Sequence, residues 1–247
     1  PQRAWRAFSQ WRSSWLSREG VMSVATFVPL TVSAWLSVVE GRYLAVPGLL
    51  GTASCFVTVY CTSMIYASLK SVDAWHTPLT SLCYLLLSLA AGLLAAGFFS
   101  LCGGAAPRGL LFAALVALAA AWAAQTAWRR RMLALVPLSS PETATGLGPI
   151  GRVRLFERPH MTENYLTREM GFRVGRKHAA KLWKIARVAG GILPGVILLV
   201  LLLVGQGGGL AGLAAFAALC CHIVGVLAER WLFFAEARHA VMNYYGG

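Results

Sequence analysis

The sequence predicts an all-α fold, a polytopic transmembrane helix bundle with six membrane-spanning helices. Hydrophobic residues make up 57% of the 247 positions and only 13% are charged. The mean hydropathy is +0.63, which is typical of a multi-pass membrane protein and not of a soluble domain. Each of six apolar runs approaches the ~20 residues that a helix needs to cross a bilayer.

The apolar runs divide the chain into five regions. These are a basic, Trp-rich interfacial segment (1–19), four spans (20–128), a basic hydrophilic segment (129–187), two spans (188–236) and a C-terminal tail (237–247). The predicted spans are 20–39, 43–69, 79–101, 109–128, 188–204 and 210–234.

Two of the boundaries carry specific expectations. We expect the three consecutive arginines at 129–131 to end the fourth span sharply at the membrane surface. The basic residues at 176–187 are expected to form an amphipathic helix that leads into the fifth span.

The distribution of charge predicts the orientation. The net charge is +13 and the pI is about 10.1, a balance that would suggest nucleic acid in a soluble protein. Here the charge lies between apolar runs: the segment 129–187 holds thirteen Lys or Arg and four Glu, a net charge of +9. The loops at the opposite end hold only Glu40, Arg42 and Arg108. The positive-inside rule then places the basic end in the cytoplasm, and nucleic acid is not an expected partner.

No metal site or haem is predicted in this chain. All six cysteines lie in or at the ends of apolar runs without a CxxC pair, so neither an iron–sulfur cluster nor a structural zinc site is indicated. A membrane b-type haem needs axial ligands inside the bilayer, usually two histidines. Of the five histidines, only His222 lies well inside a span.

One stretch, residues 60–80, concentrates polar and aromatic groups where a membrane helix leaves the lipid. Tyr66 and Lys70 are four apart and are expected to share a face of the last helical turn. A quinone has an apolar tail and two carbonyl oxygens, so it needs a cleft open to lipid, hydrogen-bond donors and a route for protons. The predicted quinone-binding residues are Arg18, Glu19, Tyr66, Lys70, Trp75 and His76.

Other interpretations of these residues remain open. Trp, Tyr and Lys commonly anchor membrane proteins at the interface, and Arg18 and Glu19 can form a simple surface ion pair. His222 and Glu229 are seven apart on one helix face, so they can relay protons. Alternatively, His222 is hydrogen-bonded between helices.

Three blocks of the sequence carry a family resemblance. They are Thr62-Ser63-Met64-Ile65-Tyr66-Ala67-Ser68-Leu69-Lys70 with Trp75 and Thr77-Pro78-Leu79-Thr80, then Arg3-Ala4-Trp5-Arg6 with Ser14-Trp15-Leu16-Ser17-Arg18-Glu19, and finally residues 227–239 with Asn243-Tyr244-Tyr245. In these blocks the chain resembles membrane-anchor subunits of the dimethyl sulfoxide reductase type. It is most similar to those of the cytoplasmic, sulfite-oxidising, quinone-linked molybdoenzymes.

The resemblance implies partners and a function. It implies a docked iron–sulfur subunit, a molybdopterin catalytic subunit beyond it, and a site for ubiquinone or menaquinone on the docking side. It also implies eight helices in the intact subunit, with two helices and a site histidine before Pro1. The expected function is to pass electrons from sulfite oxidation to quinone. The alternatives are a reductase anchor that oxidises quinol, and a transporter or non-catalytic scaffold.

The basic surface is the expected dock, since it suits an acidic patch on a partner. The predicted docking residues are Arg3, Trp5, Arg152, Arg154, Arg168, Arg173, Arg176 and Arg238. The other interpretation of this surface is a positively charged loop that binds membrane lipid.

Overall fold

The computed structural model describes residues 4–136, 139–154, 156, 173–205 and 207–240. In this part of the chain all regular structure is helical. Six helices in it are long and apolar enough to cross a membrane. The predicted all-α bundle with six spans is therefore confirmed.

The spanning helices run alternately away from and towards the basic end of the bundle. A 3₁₀ helix, Ala4–Gln10, precedes α1 (Trp15–Val38), α2 (Ala45–Ala67), α3 (Pro78–Cys102) and α4 (Arg108–Leu133). The described residues after α4 contain three short helices, α5 (Pro141–Thr145), α6 (Arg173–Lys177) and α7 (Ala179–Arg187). A π-helical turn, Val188–Ile192, joins α7 to α8 (Leu193–Val204), and α9 (Gly209–Ala235) is the last span.

Two spans begin earlier than predicted at the basic end. Helix α1 begins before Gly20 because the Ser14 hydroxyl accepts a hydrogen bond from the Ser17 amide and caps the helix at Trp15. The fifth span begins at Ala179, since α7, the π turn and α8 are continuous. Helices α6 and α7 cover the basic residues at 176–187, with a break at His178.

The arginines at 129–131 do not end the helix of the fourth span, and the position of the membrane surface at this point stays a prediction. Helix α4 continues through them to Leu133. Cations in a last turn are favourable against the helix dipole, and Arg129 points inward to the carboxylate of Glu236. A long-range ion pair therefore keeps this arginine within the helix.

The core of the bundle lies between α3, α4, α8 and α9, while the α1–α2 hairpin packs at its edge. Small residues allow the closest helix approach, as is common in membrane bundles. A Cβ placed on Gly225 of α9 would lie 2.1 Å from the backbone nitrogen of Gly190 in the π turn. The two backbones are therefore in contact at this crossing.

The loop at 68–77, between α2 and α3, is fixed by other elements. The Ala240 amide donates to the Ser71 carbonyl at 2.8 Å, and Arg131 of α4 donates to the Asp73 carbonyl at 3.1 Å. Val72 and Ala74 are buried against α4 and α9. The loop that carries half of the predicted site is thus part of the folded bundle.

Candidate functional site

An aromatic cluster closes the basic end of α2, α3 and α9. The ring of Tyr66 lies 5.3 Å from Trp75, 6.0 Å from Tyr84, 5.5 Å from Phe233 and 5.4 Å from Phe234, measured between centroids. Trp75 and Phe233 stack at 5.2 Å. Edge-to-face and stacked pairs at these distances are favourable, so the cluster gives Tyr66 a fixed position.

A charged edge borders this cluster. The guanidinium of Arg230 lies over the rings of Tyr84 and Phe233, with Cζ 4.6 and 4.7 Å from the centroids. Its Nε donates to Glu229 Oε2 at 2.5 Å, and the amide of Gln125 donates to Glu229 Oε1. A phenol, a cation, a carboxylate and an amide therefore meet where α3, α4 and α9 pack together.

The structure separates the predicted residues of the loop. Trp75 is buried and donates through Nε1 to the Phe233 carbonyl at 3.0 Å. His76 is exposed, and its Nδ1 lies 2.7 Å from the Ala67 carbonyl. Lys70 is also exposed. Tyr66 and Trp75 come together in the aromatic cluster, whereas His76 and Lys70 lie on the surface.

The expected shared helix face of Tyr66 and Lys70 was wrong. Helix α2 ends at Ala67, and its C-cap, Ser68, donates its amide back to the carbonyls of the last turn. Lys70 consequently lies in a turn beyond the helix, where helical spacing no longer applies.

Arg18 and Glu19 contact different partners. Arg18 donates to the carbonyls of Trp11 and Arg12 at 2.9 and 2.7 Å, and its guanidinium lies 4.1 Å from the Trp15 ring centroid. Glu19 accepts a hydrogen bond from the Thr62 hydroxyl at 2.6 Å. The contacts of Arg18 therefore fix the segment that precedes α1. The hydrogen bond of Glu19 links α1 to α2 one helical turn before Tyr66.

An apolar groove lies between α2 and α3, the two helices that carry Tyr66 and Tyr84, and shares no lining residue with the aromatic cluster. It has a volume of about 400 Å³ and is lined by Phe56, Val57, Tyr60, Leu82, Leu85, Leu86 and Leu89. The lining is almost entirely apolar. A long hydrocarbon chain fits such a groove.

His222 and Glu229 have separate partners. His222 Nδ1 lies 2.7 Å from the carbonyl of Gly190, which also accepts from Trp122 Nε1 at 2.8 Å. The π turn leaves this carbonyl available, as such turns do. His222 therefore makes the interhelical contact considered above, and the partners of Glu229 are Gln125 and Arg230.

A cleft of about 370 Å³ opens at the basic end beyond the loop at 68–77. Its lining includes Asp73, Arg176, Glu236 and Arg238. Glu236 also forms a two-pronged ion pair with Arg129, and both side chains are 9% exposed. The cleft thus ends at a buried ion pair between α4 and the end of α9.

The predicted docking residues differ in exposure. Trp5, Arg152, Arg154 and Arg238 are exposed. Arg176 donates to the carbonyls of Ala235 and Ala237 at 2.9 and 3.0 Å, and burial lowers its pKa below the ordinary arginine value.

The remaining predicted docking residues are not fully described. Arg3 and Arg168 lie outside the described residues, as does the side chain of Arg173, which begins α6.

No three His, Cys, Asp or Glu side chains gather closely enough to hold a metal ion in the described part of the chain. The sequence prediction missed Tyr84, Gln125 and Arg230 as possible site residues. One signal was available, since the adjacent charges Glu229 and Arg230 interrupt an otherwise apolar run. Charged residues in such a run mark functional positions more often than not.

The comparisons with known proteins agree with this architecture. Residues 1–147 match the family model described as DMSO reductase anchor subunit (DmsC). The chain is 31% identical to a sulfite dehydrogenase subunit of Allochromatium vinosum, over 99% of this chain and 78% of that relative. No solved structure matches the chain at a significant level. The chain belongs to the DMSO reductase anchor subunit family, whose members anchor oxidoreductase complexes in the membrane.

Proposed function

We propose that this chain passes electrons between a docked iron–sulfur subunit and the quinone pool of a bacterial inner membrane. A molybdopterin subunit bound beyond the iron–sulfur subunit would carry out the substrate chemistry. The preferred direction is sulfite oxidation with quinone reduction, which the similarity to a sulfite dehydrogenase subunit supports.

The observation that carries this proposal is the aromatic cluster of Tyr66, Trp75, Tyr84, Phe233 and Phe234 beside the guanidinium of Arg230. The groove between α2 and α3 suits an isoprenoid tail. Tyr66 and Tyr84 stack beside Arg230 where those helices reach the basic end. Two phenols and a guanidinium supply hydrogen-bond donors, which is what the carbonyl oxygens of a quinone head require.

Each residue then has a limited role. The phenols of Tyr66 and Tyr84 would donate to a quinone oxygen, and the cation of Arg230 would stabilise negative charge on it. Trp75, Phe233 and Phe234 would keep water from the head. Glu19, near the start of α1, would position α2, while Lys70 and His76 on the surface would exchange protons with water. Quinone supplies the redox chemistry when bound.

The docking side is the basic end. Arg152, Arg154, Arg238 and Trp5 are exposed there and suit an acidic partner surface. An iron–sulfur subunit in this place would stand over the loop at 68–77 and the aromatic cluster. The concentration of Lys and Arg favours a cytoplasmic location for this end and hence for the partners.

Two tyrosine variants test the proposal. Tyr66→Phe and Tyr84→Phe each remove a phenol and leave the ring, so the cluster packing is retained. We expect quinone-linked turnover of the purified complex to fall about tenfold, because each variant loses one hydrogen bond to a quinone oxygen that carries negative charge. Turnover with a soluble dye should be unchanged. Tyr43→Phe, at an exposed tyrosine on the opposite end, is the matched control. Equal loss of dye-linked and quinone-linked turnover would assign the tyrosines to folding or docking instead.

A further inference from the structure

A ladder of polar side chains crosses from α4 to the end of α9. Gln125 and Arg129 lie one turn apart on α4, and each binds one carboxylate, that of Glu229 and that of Glu236 respectively. Gln125 and Glu229 are 0% and 1% exposed. The Arg129–Glu236 pair therefore lies at the cleft, and the Gln125–Glu229 pair lies one helical turn further into the buried part of the bundle.

The buried position of Glu229 is energetically unfavourable for an ionised carboxyl group. It lies six residues before the end of α9, which places it about 9 Å inside the helix end. Burial of a carboxylate is unfavourable unless partners compensate, and buried carboxyl groups in membrane helices commonly serve proton transfer. The charged or titratable groups around it are Cys83 and Tyr84 on α3, Arg129 on α4, and Arg230 and Glu236 at the end of the chain's last span.

Two further atoms point to a proton path through this position. Gln125 Oε1 and Arg230 Nη1 are buried and have no hydrogen-bond partner among the described residues. One is an acceptor and the other a donor, and both belong to side chains that bind the Glu229 carboxylate. A buried water molecule bound to either atom would satisfy it.

The ladder connects two sites already described. At the end of the ladder nearest the cleft of about 370 Å³, Glu236 lines that cleft. At the buried end of the ladder, Arg230 binds the Glu229 carboxylate and lies against the ring of Tyr84. A proton that moves along the ladder would therefore travel between the cleft and the proposed position of the quinone head.

We propose that Glu229 is the carboxyl group that exchanges protons with the quinone, supplied from the cleft past the Arg129–Glu236 ion pair. This rests on the proposed quinone function. Reduction of a quinone to a quinol takes two electrons, which the iron–sulfur partner supplies, and two protons. One proton passes from the Glu229 carboxyl to the quinone oxygen beside Tyr84, and the carboxylate regains a proton from water in the cleft. The other oxygen takes its proton through the exchange with water proposed for Lys70 and His76.

The first test is Glu229→Gln in the purified complex. The amide cannot release a proton at neutral pH, so quinone-linked turnover should fall about a hundredfold, the range for loss of an acid–base group. Dye-linked turnover should stay near that of the unaltered complex, whereas the melting temperature should fall, because the guanidinium of Arg230 loses its charged partner. In infrared difference spectra on quinone reduction, a carboxyl band should be present in the unaltered complex and absent in the variant. Glu40→Gln, exposed at the opposite end, is the control and should change neither.

A second variant separates proton transfer from folding. Gln125→Glu combined with Glu229→Gln moves the carboxyl group across one hydrogen bond and keeps the net charge of the pair. It should recover at least a tenth of the lost turnover and restore a carboxyl band. If the double variant does not recover turnover, Glu229→Asp decides the question, because it keeps a carboxyl group at the same position. The inference then stands only if turnover of Glu229→Asp is well above that of Glu229→Gln.

The outcomes distinguish this inference from the proposal on which it rests. If the unaltered complex reduces quinone and Glu229→Gln does so at the same rate, the proton path is wrong and the quinone function stands. If the unaltered complex does not reduce quinone, both are wrong. Failure of Glu229→Gln, Glu229→Asp and the double variant to assemble would assign Glu229 to folding and overturn the proton path.

Discussion

The crossing of α9 and the π turn predicts a large effect from a single methyl group. In Gly225→Ala the new Cβ would lie 2.1 and 2.2 Å from the nitrogen and Cα of Gly190, and 2.7 Å from the Ala186 carbonyl oxygen. All three contacts are with backbone, so no side chain can rotate away. The helices must separate, and the contacts of His222 and Trp122 with the Gly190 carbonyl would lengthen.

The size of the effect follows from two opposing terms. Overpacking of a core costs about 1–3 kcal/mol, and contacts with backbone this short place the cost at or above the upper end. Alanine regains about 1 kcal/mol through its higher helix propensity. The net loss of stability is about 2 kcal/mol or more, which lowers the melting temperature by about 4–8 °C for a chain of this size. Thermal unfolding followed by thiol labelling in detergent measures it.

Gly92→Ala is the matched control for this experiment. Gly92 is also inside a span, but a Cβ there would meet nothing within 4 Å. Its melting temperature should stay the same or rise slightly. A Gly225→Ala variant as stable as Gly92→Ala would refute the close approach of the two backbones.

Three other predictions concern the ion pair, the cofactor content and the orientation. Arg129→Gln leaves the carboxylate of Glu236 without its partner at 9% exposure and should cost about 3 kcal/mol, whereas Arg42→Gln breaks an exposed pair at 3.9 Å and should cost less than about 1 kcal/mol in the same unfolding assay. The purified chain should show no haem Soret band, and a stoichiometric one would contradict the cofactor prediction. Ser140→Cys, in the basic segment, should resist an impermeant thiol reagent in intact cells; labelling from outside would reverse the orientation.

The spans could be predicted from sequence because hydropathy and length are local properties. Their ends were less accurate, since they depend on particular contacts. The hydroxyl of Ser14 starts α1 early, and the pairing of Arg129 with Glu236 carries α4 past the arginines. The sequence pattern assigns a run of arginines to the membrane surface. It carries no information about a carboxylate that lies more than a hundred residues away along the chain.

The candidate site was only partly predictable for the same reason. Tyr66 and Trp75 were found because they are close in sequence. Tyr84 and Arg230 join them only when α3 and α9 pack side by side. Lys70 was placed with Tyr66 by helical spacing, which fails beyond the end of α2 at Ala67.

The role of this chain in electron transfer to quinone can be tested most directly with the native complex purified with and without it. The substrate-reduced catalytic and iron–sulfur subunits should reduce a soluble dye in either form. In lipid nanodiscs that contain quinone, only the form that includes this chain should reduce the quinone, and adding the chain back should restore the activity. Quinone reduction at the same rate by the form that lacks this chain would contradict the account.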